Sequence, residues 1–243
     1  MTEESFEWNP PARTNFARDR MQALARERGA DRALLWVDAG GRVEDISFAA
    51  LDARAARAAA VLKDAGVARG DTVLILLARE LEWWELMLGC LRLGAIASPG
   101  TVQLMPKDIA YRRAAANAVC VVAGTDVADR VDTALGDDGI AKLHIGGPRA
   151  GWGDYSALAA AAAPLEEIAD TAFDDPALCY FTSGTTGNPK MTIRGAGYPL
   201  AHAITGRTWL DLGPGDLMWN VSDTGWAKAA WSSLFAPWMM GAG

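Results

Sequence analysis

Histidine and cysteine are scarce in this chain, with two of the first and three of the second among 243 residues. His144 and His202 lie far apart, without the spacing of a metal site or a catalytic triad, so each is expected at the surface or in a local hydrogen bond. Cys90, Cys120 and Cys179 are distant from one another, odd in number and set among apolar neighbours. That pattern excludes a disulfide framework and a zinc site, and it fits a reducing, cytoplasmic setting. There is no basic excess: 23 Lys and Arg stand against 30 Asp and Glu, a net charge of -7 that repels a nucleic-acid backbone. There is also no long apolar run. The segment Trp226 to Gly243 comes closest, but Lys228, two serines and Pro237 interrupt it, so no transmembrane segment is expected. The first residues, with Glu3, Glu4 and Glu7, are acidic where a targeting leader would be basic.

What is present is apolar bulk, 51% of the residues, enough for one large domain or two smaller layered units. Asn15 to Arg28 reads as an amphipathic helix stopped by Gly29. Leu34–Asp38 and Arg42–Ile46, joined through glycines, read as a hairpin, and Ser47 as the N-cap of an alanine-rich helix ending at Gly66. Thr72–Leu77 is a short apolar run of the kind buried on both faces of a parallel sheet. A crossover helix follows, with Leu81, Trp84, Leu88 and Leu91 on its apolar stripe and Glu82, Glu85 and Arg92 off it. Ala95–Ser98 completes a βαβ unit. The rhythm then repeats: helices over 109–116 and 127–135, strands over 118–123 and 142–145, a short helix over 157–163, and a strand over 177–182. This alternation predicts an α/β fold, a parallel sheet layered with helices.

The last of these strands feeds Tyr180-Phe-Thr-Ser-Gly-Thr-Thr-Gly-Asn-Pro-Lys190, a segment with four hydroxyl residues, two glycines and a lysine. Gly184 and Gly187 permit positive φ and close approach of backbone N–H groups to an anion. Thr182, Ser183, Thr185 and Thr186 add neutral donors, and Lys190 adds a flexible charge. A Walker A loop is rejected, because Pro189 stands where its second glycine belongs and Met191 follows the lysine. A dinucleotide fingerprint fails at Gly213-Pro-Gly215, where Met218 replaces the third glycine. The bland alternative is a solvated turn rich in Ser, Thr and Gly, which is common in any protein. The density of donors over eleven residues argues for a polyphosphate cradle instead.

Tyr180 to Lys190 resembles the signature loop of the AMP-forming acyl-CoA synthetases in the adenylate-forming superfamily. Asp216-Leu-Met-Trp-Asn-Val-Ser-Asp-Thr-Gly-Trp226 is similar to a stretch of their medium-chain branch, and Gly66-Val-Ala-Arg-Gly-Asp71 to their opening region. The resemblance implies the layered N-terminal domain of that fold, with residues 1 to about 170 as a first α/β subdomain and about 171–243 as the phosphate-loop segment and the start of a second subdomain. It implies a reaction in which a carboxylic acid and ATP give an acyl-adenylate, whose AMP is then displaced by CoA. Thr182, Ser183, Gly184, Thr185, Thr186, Gly187 and Lys190 would hold the phosphates with Mg²⁺, with no side chain as a direct metal ligand. Trp226 would touch the acyl chain, with core packing an equal alternative for that ring.

For Trp231, Leu234, Phe235 and Trp238, at helical spacing, core is the better reading. Asp223 is expected as a turn former and Lys228 as a solvated side chain. The chain departs from the resembling enzymes by Arg194-Gly195, where the medium-chain branch has histidine. It also contains no adenine-binding segment, no ribose-binding aspartate and no C-terminal domain with the adenylation lysine. The domain is therefore expected to be incomplete and inactive alone, to leave faces such as Trp231 and Trp238 without partners, and to need a complementing chain. Two alternatives stay open: a non-catalytic nucleotide-binding remnant, or an adenylating ligase for aromatic or amino acids.

Overall fold

The computed structural model describes residues 8–182 and 187–243. The N-terminal helix forms as α1 (Ala23–Glu27), entered through wider π turns at Ala17–Gln22. β1 (Arg32–Val37) and β2 (Val43–Ser47) make an antiparallel hairpin apart from the main sheet. Ser47 then caps α2 (Phe48–Asp64), its hydroxyl accepting the Ala50 N–H at 3.2 Å.

β3 (Thr72–Leu76) is buried along its whole length, and its alternation sets the layers. Val73 and Ile75 enter one apolar cluster and Leu74 and Leu76 the other. The first cluster is closed by α2 and α3 (Glu82–Leu93), through residues such as Leu51, Leu62, Trp83 and Met87. After β4 (Ile96–Pro99) the chain crosses to the opposite face as α4 (Pro106–Ala115), enters β5 (Ala118–Gly124), and returns as α5 (Thr125–Leu135). Ile109, Val127, Val131 and Leu135 close the second cluster. β6 (Ala141–Ile145), β7 (Gly153–Asp154) and α6 (Tyr155–Ala161) follow.

Among the described residues the sheet has seven strands, in the order β7-β6-β5-β3-β4-β8-β9, with β8 at Pro176–Thr182 and β9 at Lys190–Gly195. From β7 to β8 the neighbours run parallel, and β9 closes the edge antiparallel to β8. This is the α/β layering that the alternating pattern predicts. Beyond the sheet lie α7 (Tyr198–Thr208), α8 (Ala227–Ala230), a π-turned stretch at Trp231–Phe235, and α9 (Ala236–Met240).

Two expectations are corrected. Glu85 and Arg92, off the apolar stripe of α3, are buried, because α3 is enclosed on every side and each charge meets a partner. Arg92 reaches Asp52 at 2.7 Å and the Leu165 carbonyl at 3.1 Å, while Glu85 accepts from Tyr155 Oη at 3.1 Å and faces Arg54. Trp238 is not left without a partner. It is 1% exposed, and its indole N–H donates to the Ala33 carbonyl at 2.8 Å. Trp231 is half-buried and donates to Thr205 Oγ1 at 3.0 Å. Leu234 and Phe235 are core, as their spacing suggests. The most exposed large apolar side chains among the described residues lie elsewhere, at Trp209, Trp219, Val221 and Trp226.

Candidate functional site

In an open parallel sheet, side chains and backbone donors converge beyond the carboxyl ends of the strands, where chain reversals leave a crevice. Here β3, β4 and β8 end side by side on that edge. β8 delivers Thr182 there, exposed, and its hydroxyl donates to the Lys190 carbonyl over a long 3.4 Å. Ser183, Gly184, Thr185 and Thr186 lie outside the described residues. The chain re-enters at Gly187, whose φ of +106° is the left-handed region that favours glycine and whose Cα faces open space. Lys190 then pairs in register with Thr182 to begin β9. Its side chain is exposed and has no ion-pair partner among the described residues. Thr182 and Lys190 thus pair at the mouth of a β8–β9 hairpin, with Gly187 shortly before Lys190 in the chain. β9 has only a short period-2 signal in the sequence, Met191 and Ile193 alternating with Thr192 and Arg194, and both apolar side chains are exposed.

The second motif docks on the same edge. Thr224 Oγ1 donates to the Leu77 carbonyl just past β3 at 2.5 Å. Thr101 Oγ1, just past β4, donates to Asp223 Oδ2 at 3.0 Å, while Asp223 Oδ1 accepts the Gly225 N–H at 2.8 Å. Asp223 therefore forms the turn expected of it and also ties that turn to the sheet. Gly225 lies flat on the Gly100–Thr101 backbone, so close that a Cβ would stand 2.1 Å from the Thr101 nitrogen. Arg79 donates to the Val221 carbonyl. Trp226 leaves this anchored turn 65% exposed. The Leu77, Gly100 and Thr101 contacts join positions more than a hundred residues apart, so no local spacing could have named them.

Neither histidine joins this edge as a ligand. His144 is buried with Nδ1 2.8 Å from the Gly147 carbonyl, the local bond expected of it. His202 packs edge-on to Tyr198 at 4.5 Å and stacks on Phe235 at 6.3 Å, and its Nε2 is buried without a partner. Burial pushes its pKa down to about 4. The unfolded chain, with an ordinary imidazole, takes up this proton first. The neutral ring therefore stabilises the fold fully above about pH 6.5, and that stabilisation is lost as pH falls toward about 4. Because the ring is only partly enclosed, the effect is expected on the order of 1 kcal/mol. Thermal unfolding between pH 7 and 4 checks this, and His202→Phe should flatten that part of the profile. Lys228 is exposed, as expected. Among the described residues no three His, Cys, Asp or Glu side chains gather as a metal site, and no helix is long and apolar enough to cross a membrane.

The described donors at the hairpin mouth suit an anion: an ammonium without an ion pair among the described residues, and an exposed threonine. Comparison with known proteins gives this chemistry a context. Residues 21–243 match the family described as AMP-binding enzyme. Acyl-coenzyme A synthetase ACSM4, mitochondrial, of Mus musculus is 40% identical over 242 residues, covering 96% of this chain and 42% of that protein. Acyl-coenzyme A synthetase ACSM3, mitochondrial, of Homo sapiens is 36% identical over 249 residues, covering 98% and 42%. The crystal structure of Brucella canis acyl-CoA synthetase superposes with a TM-score of 0.85 at 28% identity, covering 98% of this chain and 43% of that one. The chain thus spans about two fifths of the length of the curated relatives it matches.

Proposed function

From the premise that this chain belongs to the AMP-binding enzyme family, we propose that it supplies the N-terminal portion of an AMP-forming acyl-CoA synthetase, including its grip on the ATP phosphates. The observation that carries this reading is the meeting of two motifs on one sheet edge. The Thr182–Lys190 hairpin mouth and the Asp223–Trp226 turn both stand over the carboxyl ends of β3, β4 and β8.

In this reading Thr182, Ser183, Gly184, Thr185, Thr186, Gly187 and Lys190 hold the β- and γ-phosphates of ATP. Donors fixed in advance stabilise the charge that develops as pyrophosphate leaves, without reorganising at that moment. Mg²⁺ accompanies the phosphates and neutralises part of their charge. The anchored turn presents Trp226 to the acyl chain of a carboxylic acid, which attacks the α-phosphate to give an acyl-adenylate. CoA thiol then displaces AMP. Residues 171–243 act as the phosphate-loop segment appended to an α/β unit of residues 1–170, whose sheet β8 and β9 extend. The free thiols of Cys90, Cys120 and Cys179, all buried, suit a reducing compartment such as the cytoplasm.

The test is acid-dependent pyrophosphate release. It is measured on the chain alone, and on the chain co-expressed with a polypeptide supplying the remaining length of the relatives. Release only in the second case, with a medium-chain or aromatic acid, is the expected result. Magnesium-ATP binding without release in either case would favour a nucleotide-binding remnant, and absence of both would remove the phosphate site.

A further inference from the structure

The β8–β9 hairpin carries the proposed phosphate site, and its backbone ladder runs up to Thr182 and Lys190. Among the described residues, the side-chain bond between its arms is the long 3.4 Å contact from Thr182 to the Lys190 carbonyl. β9 is an edge strand, with no partner on its far side among the described residues. Beyond this ladder, α4 supplies three contacts near the mouth, from residues about seventy positions earlier in the chain. Tyr111 Oη donates to the Pro189 carbonyl at 3.0 Å, which orients the peptide unit leading into Lys190. The Tyr111 ring also meets Phe181 edge-on, with centroids 6.1 Å apart. The Arg112 guanidinium lies over the same Phe181 ring, 4.8 Å from its centroid. Phe181 precedes Thr182 on β8 and Pro189 leads into Lys190 at the start of β9, so α4 touches both arms of the hairpin beside its mouth.

Arg112 is also unusual electrostatically. It is half-buried, makes no ion pair among the described residues, and its Nε is enclosed without an acceptor. Burial lowers its pKa, a sign that the charge is held at a desolvation cost. The aromatic face of Phe181 offsets part of that cost. Asp108 on the same helix offsets part of this charge without an ion pair among the described residues, and the remainder adds positive potential near the hairpin mouth, where an anion is to arrive.

We propose that Tyr111 and Arg112 are positioning residues of the phosphate site: α4 clamps both arms of the hairpin and so sets where Thr182, Gly187 and Lys190 stand. The proposal deepens the reading of the loop as a polyphosphate site and rests on it for the ligand, but not for the clamp. The experiment therefore has two arms, run on the 243-residue chain and its Tyr111→Phe, Arg112→Gln and Arg112→Lys variants. In the first, amide hydrogen exchange is followed over residues 188–193 and, as an internal reference, over α5. In the second, magnesium tripolyphosphate is titrated.

Tyr111→Phe is expected to speed exchange in the hairpin by about fivefold, the equivalent of one ordinary hydrogen bond, with α5 unchanged. Tripolyphosphate binding should weaken by about three- to tenfold in Tyr111→Phe and Arg112→Gln, and Arg112→Lys should recover part of the loss. Unchanged hairpin exchange in both Tyr111→Phe and Arg112→Gln would overturn the clamp, as would a rise shared equally by α5, which marks a general structural role. Faster hairpin exchange in a chain whose wild type takes up no tripolyphosphate would leave the clamp standing and sink the phosphate reading instead.

Discussion

Replacing Lys190 by alanine is expected to weaken magnesium-ATP binding by about ten- to a hundredfold, the worth of one charge-assisted hydrogen bond of roughly 1.5–3 kcal/mol. The size follows from the surroundings of the side chain. Lys190 is exposed at the start of an edge strand and has no carboxylate partner among the described residues, so no internal ion pair competes with the phosphate for its ammonium. The same exposure keeps the fold out of the result, because surface substitutions away from special features usually move stability by no more than about 0.5 kcal/mol. Calorimetric titration paired with thermal unfolding checks both halves. A large loss of affinity at an unchanged unfolding midpoint is the expected outcome, and an unchanged affinity would remove Lys190 from the site. Lys190→Arg keeps the charge but replaces a compact ammonium with a planar fork, so partial retention is expected.

Gly225→Ala should act on the other motif through packing. The added Cβ would stand 2.1 Å from the Thr101 nitrogen and 2.4 Å from the Gly100 carbonyl carbon, and both are backbone atoms that cannot rotate away. Either the Asp223–Trp226 turn lifts from the sheet or the β4 end shifts, and overpacking of this kind costs about 1–3 kcal/mol. Lifting the turn also strains the Thr224 bond to the Leu77 carbonyl and the Thr101 bond to Asp223. A lower midpoint of thermal unfolding and faster proteolysis within 217–226 are the expected readouts. Thr101→Val, which removes one hydrogen bond and leaves the backbone contact intact, should show the same direction at smaller size. If Gly225→Ala unfolds at the wild-type midpoint with its turn still protected, the docking described for this turn is wrong.

Much of the layering was legible because burial on two faces leaves a direct trace. Thr72–Leu77 is apolar without alternation, and it is the strand enclosed between both core clusters. Ser47 could be read as a cap because capping is local chemistry, satisfied within one helical turn. α3 shows where such reading stops. Its stripe placed the helix correctly, yet Glu85 and Arg92 are buried because Tyr155, Arg54 and Asp52 arrive from other elements to pair with them. The aromatic tail divides the same way. Trp238, on a helical stripe, fills the core beneath Ala33, while Trp226 projects from a turn tied down by Asp223 and Thr224. Sequence spacing leaves Trp226 evenly poised between core and pocket, and in this chain the residue stands exposed.

The sequence by itself determined which groups are available to hold an anion, since glycines, hydroxyls and a lysine between positions 182 and 190 have that capacity wherever the chain places them. It also determined the alternation of strand and helix, because hydrophobic period is a property of neighbours along the chain. Only the tertiary structure decided that Lys190 opens an edge strand in register with Thr182, that α4 reaches the hairpin through Tyr111 and Arg112, and that Gly225 rests on Gly100 and Thr101. Each of these is a contact between segments far apart in the chain. Such contacts are fixed by the order of strands in the sheet and the twist that brings their ends together, and no local pattern of residues encodes either one.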